Sequence, residues 1–309
     1  MEKMFPAQQC GYGTGRTRTA VNDCKRSIKM NINLRLVGLL VWGFLWFAPL
    51  HAQESGLIQP FSIPVQEGND SIRFGVVLPP SYAETDHPYP VIYYMHGANR
   101  YYVGPRAQWI ASYFHEKFTG GLLPEFILVF IDGGEGYWMN HYDGDPQLET
   151  AIVNDLIPFM DRNYRTDRDR RVTMGYSLGG NGAIFFFTKH PELFAAGVSL
   201  DGGIVTYEDY LVRTGGRPEI ISDEDYFNEF GSPYGWVNRN REALIAKQDT
   251  CIFLSAALLK EANSEFASLL RIVGISFKYI ELKYLDHEFG YVFSGSEEAL
   301  MQFLSEKFR

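Results

Sequence analysis

Residues 171–187 read RVTMGYSLGGNGAIFFF, and no other stretch of the chain limits the fold as much. A short apolar β-type run leads into Gly175-Tyr176-Ser177-Leu178-Gly179. An apolar segment of helical length follows and is stopped by His190-Pro191. Strand, tight turn and helix form the context that a Gly-x-Ser-x-Gly pattern needs to lift a serine clear of a sheet. Glycine on both sides suits such a turn, because a Cβ there would clash. The pattern points to Ser177 as a nucleophile. The competing reading is a solvated serine in a glycine-rich turn.

The rest of the chain repeats the same alternation. Residues 71–79, 90–96, 125–132, 194–203, 250–257 and 276–287 read as strands, several of them continuously apolar. Residues 107–118, 148–164, 262–274 and 296–308 have helical spacing. Apolar strands alternating with amphipathic helices predict an α/β fold with a mostly parallel central sheet covered on both faces. The rhythm breaks at 204–249, a stretch rich in Gly, Pro, Asp and Tyr. It is expected as a cap or lid over the carboxyl ends of the strands, where such folds place ligands. A hydrophobic content of 46% suffices for a large core.

The first 52 residues stand apart. Residues 30–35 are short and basic, 36–50 are apolar, and His51-Ala52 follows, as in an export signal with a cut near Ala52. The apolar run is about 15 residues, short of the roughly 20 that a membrane span needs. Residues 1–29 are polar, basic and patternless. They read as an upstream extension, or as a cytoplasmic tail ahead of an uncleaved anchor. The fold is therefore expected in 53–309, with no stable membrane insertion once the signal is removed. The whole chain carries a net charge of −9. Without the seven Lys/Arg and two acids of residues 1–52, 21 basic and 35 acidic residues remain, a net of −14. That balance argues against nucleic acid or an anionic membrane as partner. Cys251 is the single cysteine beyond residue 52 and sits in an apolar strand, so a buried thiol is expected, and no internal disulfide is possible once residues 1–52 are removed.

From about Gly56 to Arg309 the chain resembles the esterase D-like α/β-hydrolases. Among these it is most similar to carbohydrate esterases of the feruloyl and acetylxylan type. The resemblance is carried by YYMHGAN, FIDGGEGYWMNHYDG, NDLIPFMDRNYRT and GYSLGGNGA, in collinear order. It implies an α/β-hydrolase fold and an acyl-enzyme on Ser177. A serine hydroxyl needs a base to take its proton as it attacks, and in this fold the base comes last in the chain. Only His287 lies after Ser177 in a loop following a late strand. His190 ends the nucleophile's own helix, His87 precedes a proline, and His115 is mid-helix. His287 is also where the family keeps its base, although the family's Gly-Gly-His pattern here reads Leu285-Asp286-His287. Leu178, next to the nucleophile, supplies one oxyanion-hole N–H by position. The resemblance supplies the other at Ala98, and it makes His96 structural.

The third member departs from the family. Its usual Asp follows the strand that here reads CIFLS, but this chain runs directly into Ala256-Ala257-Leu258-Leu259-Lys260-Glu261. Asp201, at the end of the preceding strand, is the favoured acid, and Glu261 is the alternative. Tyr137, Trp138 and Asn140, in a loop that lines the cleft in this family, are expected as substrate contacts, with packing under the lid as the competing reading. No histidine pair has metal-ligand spacing and no nucleotide-binding glycine pattern occurs, so neither metal nor cofactor is expected. The chain reads as an exported serine esterase acting on a small ester or an acylated plant oligosaccharide. A siderophore esterase, an acyltransferase and a silent glycan-binding relative stay open beside it.

Overall fold

The computed structural model describes residues 57–66, 71–98, 102–134, 137–247 and 250–309. The expected upstream extension and export signal lie outside these residues. In chain order the elements are β1 (Gln59–Pro64), β2 (Ser71–Val77), β3 (Tyr89–Met95), α1 (Pro105–Thr119), β4 (Ile127–Ile131), α2 (Leu148–Ala151), α3 (Ile157–Asn163), β5 (Thr166–Tyr176), α4 (Leu178–Lys189) and β6 (Ala196–Leu200). There follow α5 (Tyr207–Thr214), α6 (Glu224–Phe230), α7 (Pro233–Arg239), α8 (Arg241–Ala246), β7 (Cys251–Ser255), α9 (Lys260–Val273), β8 (Lys278–Glu281) and α10 (Phe289–Phe308). The eight strands form one sheet in the order β1-β2-β4-β3-β5-β6-β7-β8. β1–β2 and β2–β4 are antiparallel, and every pairing from β4 to β8 is parallel. This is the mostly parallel α/β sheet expected from the alternation, in the α/β-hydrolase architecture that the resemblance implies.

The strands β3, β4, β6 and β7 are buried at every position, as a sheet covered on both faces requires. Side chains alternate between the two faces. Val91, Tyr93 and Met95 pack with Phe185, Phe186 and Phe266 from α4 and α9. Ile92 and Tyr94 pack with Ile110 and Phe114 of α1 and Phe293 and Leu304 of α10. Full burial of each such side chain is worth about 1.5–3 kcal/mol. Cys251 belongs to this core, and burial pushes its thiol up.

Three local features differ from the expected elements. β1 is an additional edge strand. The single helix over 148–164 is interrupted by a π turn at Ile152–Leu156, where the Ile157 N–H reaches the Ile152 carbonyl just before Pro158, which has no N–H to donate. α10 starts at Phe289, immediately after the loop bearing His287. The break at 204–249 is a lid of four short helices, α5 to α8, inserted between β6 and β7. Among the described residues, no helix is long and apolar enough to cross a membrane.

Candidate active site

Ser177 sits between β5 and α4 with φ 56° and ψ −121°, a conformation a non-glycine residue adopts only under constraint. The constraint is close packing. A Cβ on Gly175 would land on the Gly179 carbonyl, and one on Gly179 would land on the Met95 carbonyl at the end of β3. The two glycines let strand, turn and helix approach this closely. The Ser177 N–H donates to the Leu200 carbonyl at 3.1 Å, which ties the turn to the end of β6.

At that end Asp201 turns out of the strand with φ 46° and is fully buried. Its Oδ1 accepts from the Ala256 N–H at 2.9 Å. Its Oδ2 accepts from Nδ1–H of His287 at 2.6 Å. Nε2 of His287 therefore presents its lone pair, and the Ser177 hydroxyl donates to it at 2.9 Å. Ser177, His287 and Asp201 thus form a connected relay, drawn from the ends of β5, β8 and β6. Glu261 lies in the exposed first turn of α9, where an acid complements the helix dipole, so the alternative acid is not the imidazole's partner. His190 caps α4, where its Nε2 and the Lys189 ammonium both meet the buried Glu149 carboxylate, at 2.8 and 2.7 Å.

The loop after β3 brings Ala98 to the same cavity as Ser177, Leu178 and His287. Among the described residues, neither the Ala98 nor the Leu178 amide is bonded within the protein, so both N–H groups are open to an oxygen beside the serine. His96 braces this loop. Its Nδ1–H donates to the Gly97 carbonyl at 2.7 Å, and its Nε2 accepts the Gly133 N–H at 3.0 Å. Both ring nitrogens face backbone, in keeping with a structural role.

The cavity has a volume of about 220 Å³. Tyr137 lines it, with its hydroxyl pushed up by burial, and its ring meets Tyr210 edge-on at 5.5 Å. Met139, Val205, Tyr210, Ile221 and Phe227 complete an apolar wall, most of it contributed by the lid. Sequence reading did not single out these lid residues. The tyrosine-rich stretch around Tyr207 and Tyr210 was the available signal.

Two of the expected substrate contacts turn away from the cavity. The buried Trp138 ring lies over Gly133 and Gly182, and its Nε1–H donates to the His96 carbonyl at 3.2 Å. Asn140 is held by Thr150, accepting the Thr150 N–H at 3.1 Å and donating to the Thr150 hydroxyl at 2.9 Å. Neither lines the cavity. Both support the loops that do. Among the described residues, no cluster of His, Cys, Asp and Glu has the arrangement of a metal site.

A family model described as "Putative esterase" matches residues 66–224. Esterase Rv1288 of Mycobacterium tuberculosis is 28% identical over 166 residues, covering 51% of this chain and 35% of that protein. The chain thus spans about a third of the length of that curated relative. Among solved structures, a ferulic acid esterase superposes with a TM-score of 0.65 at 21% identity, over 82% of this chain and 98% of the other. An S-formylglutathione hydrolase from Staphylococcus aureus gives 0.64 at 15% identity, over 82% and 98%. At these identities the two structures share the fold.

Proposed function

The chain belongs to the esterase family that this model describes, and from that premise we propose that it is a serine carboxylic-ester hydrolase working through an acyl-enzyme on Ser177. The observation that carries the proposal is the unbroken relay from Asp201 through His287 to Ser177, with contacts of 2.6 and 2.9 Å. Asp201 orients the imidazole and stabilises its cation. Nε2 of His287 takes the Ser177 proton as Oγ bonds to the ester carbonyl carbon. The carbonyl oxygen becomes an oxyanion facing the Leu178 and Ala98 N–H groups. One such donor is worth about 10²–10³ in turnover. Collapse of the intermediate breaks the bond to the alcohol oxygen, which leaves with the proton from Nε2. Water then repeats the sequence on the acyl-serine and restores the hydroxyl.

We assign the substrate as a feruloyl-type ester of plant polysaccharide, in preference to an acetyl ester. An apolar cavity in which the Tyr210 and Phe227 rings stack at 5.6 Å favours a planar aromatic acyl group over a two-carbon one. Similarity in fold to a ferulic acid esterase supports the same choice. The apolar run at 36–50 supports an exported enzyme, secreted or periplasmic, that meets such a substrate outside the cytoplasm.

The test is hydrolysis of methyl ferulate, methyl acetate and a feruloylated arabinoxylan oligosaccharide by the parent and by Ser177→Ala, the two methyl esters sharing one leaving group. The expected result is a feruloyl kcat/KM at least about tenfold above the acetyl value, since burying a ring contributes more than 1.4 kcal/mol over a methyl. The variant should lose about 10⁶ in kcat. A preference for acetyl would reject the substrate assignment, and activity of Ser177→Ala within about a hundredfold of the parent would reject the mechanism.

A further inference from the structure

His287 stands on an exposed connection. Between β8 and α10, the side chains of Lys283, Tyr284, Asp286 and Glu288 all face solvent, and Tyr284 adopts φ 65°. A connection of this kind is a poor platform for an imidazole that must stay within a few tenths of an ångström of its working position. The bond to Asp201 fixes one ring nitrogen but leaves the ring free to rotate about that bond.

The second hold comes from the residue before the nucleophile. The Tyr176 ring lies parallel to the His287 ring, with centroids 5.1 Å apart and an interplanar angle of 17°. The Tyr176 hydroxyl donates to the His287 backbone carbonyl at 3.0 Å. One side chain therefore grips both the imidazole plane and the main chain that carries it. Tyr176 is itself held firmly. It closes β5 in the middle of the sheet, meets Phe289 edge-on at 5.2 Å, and lies 5.5 Å from the Arg106 guanidinium, which also sits 4.8 Å over Phe289. Burial pushes its hydroxyl up to about 12, so it remains a donor throughout the range in which an esterase works. When His287 takes the serine proton, its new positive charge faces the π surface of Tyr176, which attracts it.

We propose that Tyr176 is a positioning residue that transmits the rigidity of the sheet to the His287 loop and holds the imidazole in line between Asp201 and Ser177. The kinetic part of this proposal rests on the serine-esterase reading, and the structural part does not.

The experiment compares the whole chain carrying Tyr176→Phe or Tyr176→Leu with the parent. It reads kcat and KM separately, together with the low-field proton resonance of Nδ1–H in the His287–Asp201 bond. Tyr176→Phe keeps the stack and loses one hydrogen bond, and about a fivefold fall in kcat at unchanged KM is expected. Tyr176→Leu loses both, and about a hundredfold fall in kcat is expected. KM should stay within about twofold, because binding is untouched. The low-field resonance should persist in Tyr176→Phe and broaden away in Tyr176→Leu. A folded Tyr176→Leu protein that keeps the resonance and parent-like kcat would overturn the proposal. So would a rise in KM at unchanged kcat, which would make Tyr176 a substrate contact. If Tyr176→Leu does not fold, Tyr176→Phe decides, and parent-level kcat in that variant overturns the proposal. If the parent hydrolyses no ester, the esterase reading fails on its own, and the resonance alone tests Tyr176.

Discussion

Oδ2 of Asp201 lies 2.6 Å from Nδ1 of His287, across 86 residues of sequence, and is fully buried there. The carboxylate's other oxygen is occupied by the Ala256 N–H. In the proposed relay the acid follows β6, and Ala256, just after β7, supplies a backbone donor that holds that acid still.

Exchange of the acid tests this arrangement. Asp201→Asn preserves shape but allows the amide to stabilise the wrong imidazole tautomer, so kcat should fall by about 10⁴. Glu261→Gln should stay within about twofold of the parent, as expected for an exposed first-turn acid. Steady-state kinetics on one ester substrate measure both. Equal losses in the two variants would contradict the assignment.

The relay should also behave as one unit. Ser177→Ala and His287→Ala should each reduce kcat by about 10⁶, and the double variant should be no worse than either single one. Additive losses in a double-mutant cycle would indicate that the two side chains act separately.

The nucleophile turn carries a packing prediction. A methyl group on Gly179 meets the Met95 carbonyl, and no flexible side chain is there to yield. Gly179→Ala should destabilise the fold by about 3 kcal/mol, read from the urea midpoint at unchanged slope. An unchanged midpoint would show that the turn has room to relax.

Cys251 provides a chemical test of the core. Alkylation requires the thiolate, and burial in β7 disfavours it by pushing the thiol up. At pH 8 the folded protein should leave the Cys251 peptide unmodified by iodoacetamide, and unfolding in urea should make it react. Peptide mass spectrometry separates this site from Cys10 and Cys24. Rapid native labelling of Cys251 would mean that this part of the sheet opens readily.

Local chemistry was legible in the sequence, and convergence of distant segments was not. Ser177 could be read because strand, glycines and helix are contiguous. His287 could be read because few histidines follow Ser177. The acid remained a choice between Asp201 and Glu261, since only the tertiary arrangement of strand ends brings a carboxylate to the imidazole. Trp138 and Asn140 lie in the expected cleft loop, yet their side chains turn to His96 and Thr150, a direction that neighbourhood in sequence does not encode. The first turns of α10 contain two glycines and read as loop by propensity. Burial of Phe289, Val292 and Phe293 against the sheet makes them helical. Edge strand β1 alternates half-buried and exposed positions and carries prolines at Pro60 and Pro64, a weak strand signal. The cavity beside Ser177 draws its wall from several short lid segments, and no single segment announces it.

Trapping of the acyl-enzyme decides whether Ser177 is the nucleophile. The folded protein is mixed with a p-nitrophenyl ester, quenched in acid within the first turnover, digested and mapped by mass spectrometry. The expected result is a burst of about one p-nitrophenolate per chain and an acyl adduct on the peptide at Ser177, absent in Ser177→Ala. An adduct on another residue, or steady ester cleavage with no acylated serine, would contradict it.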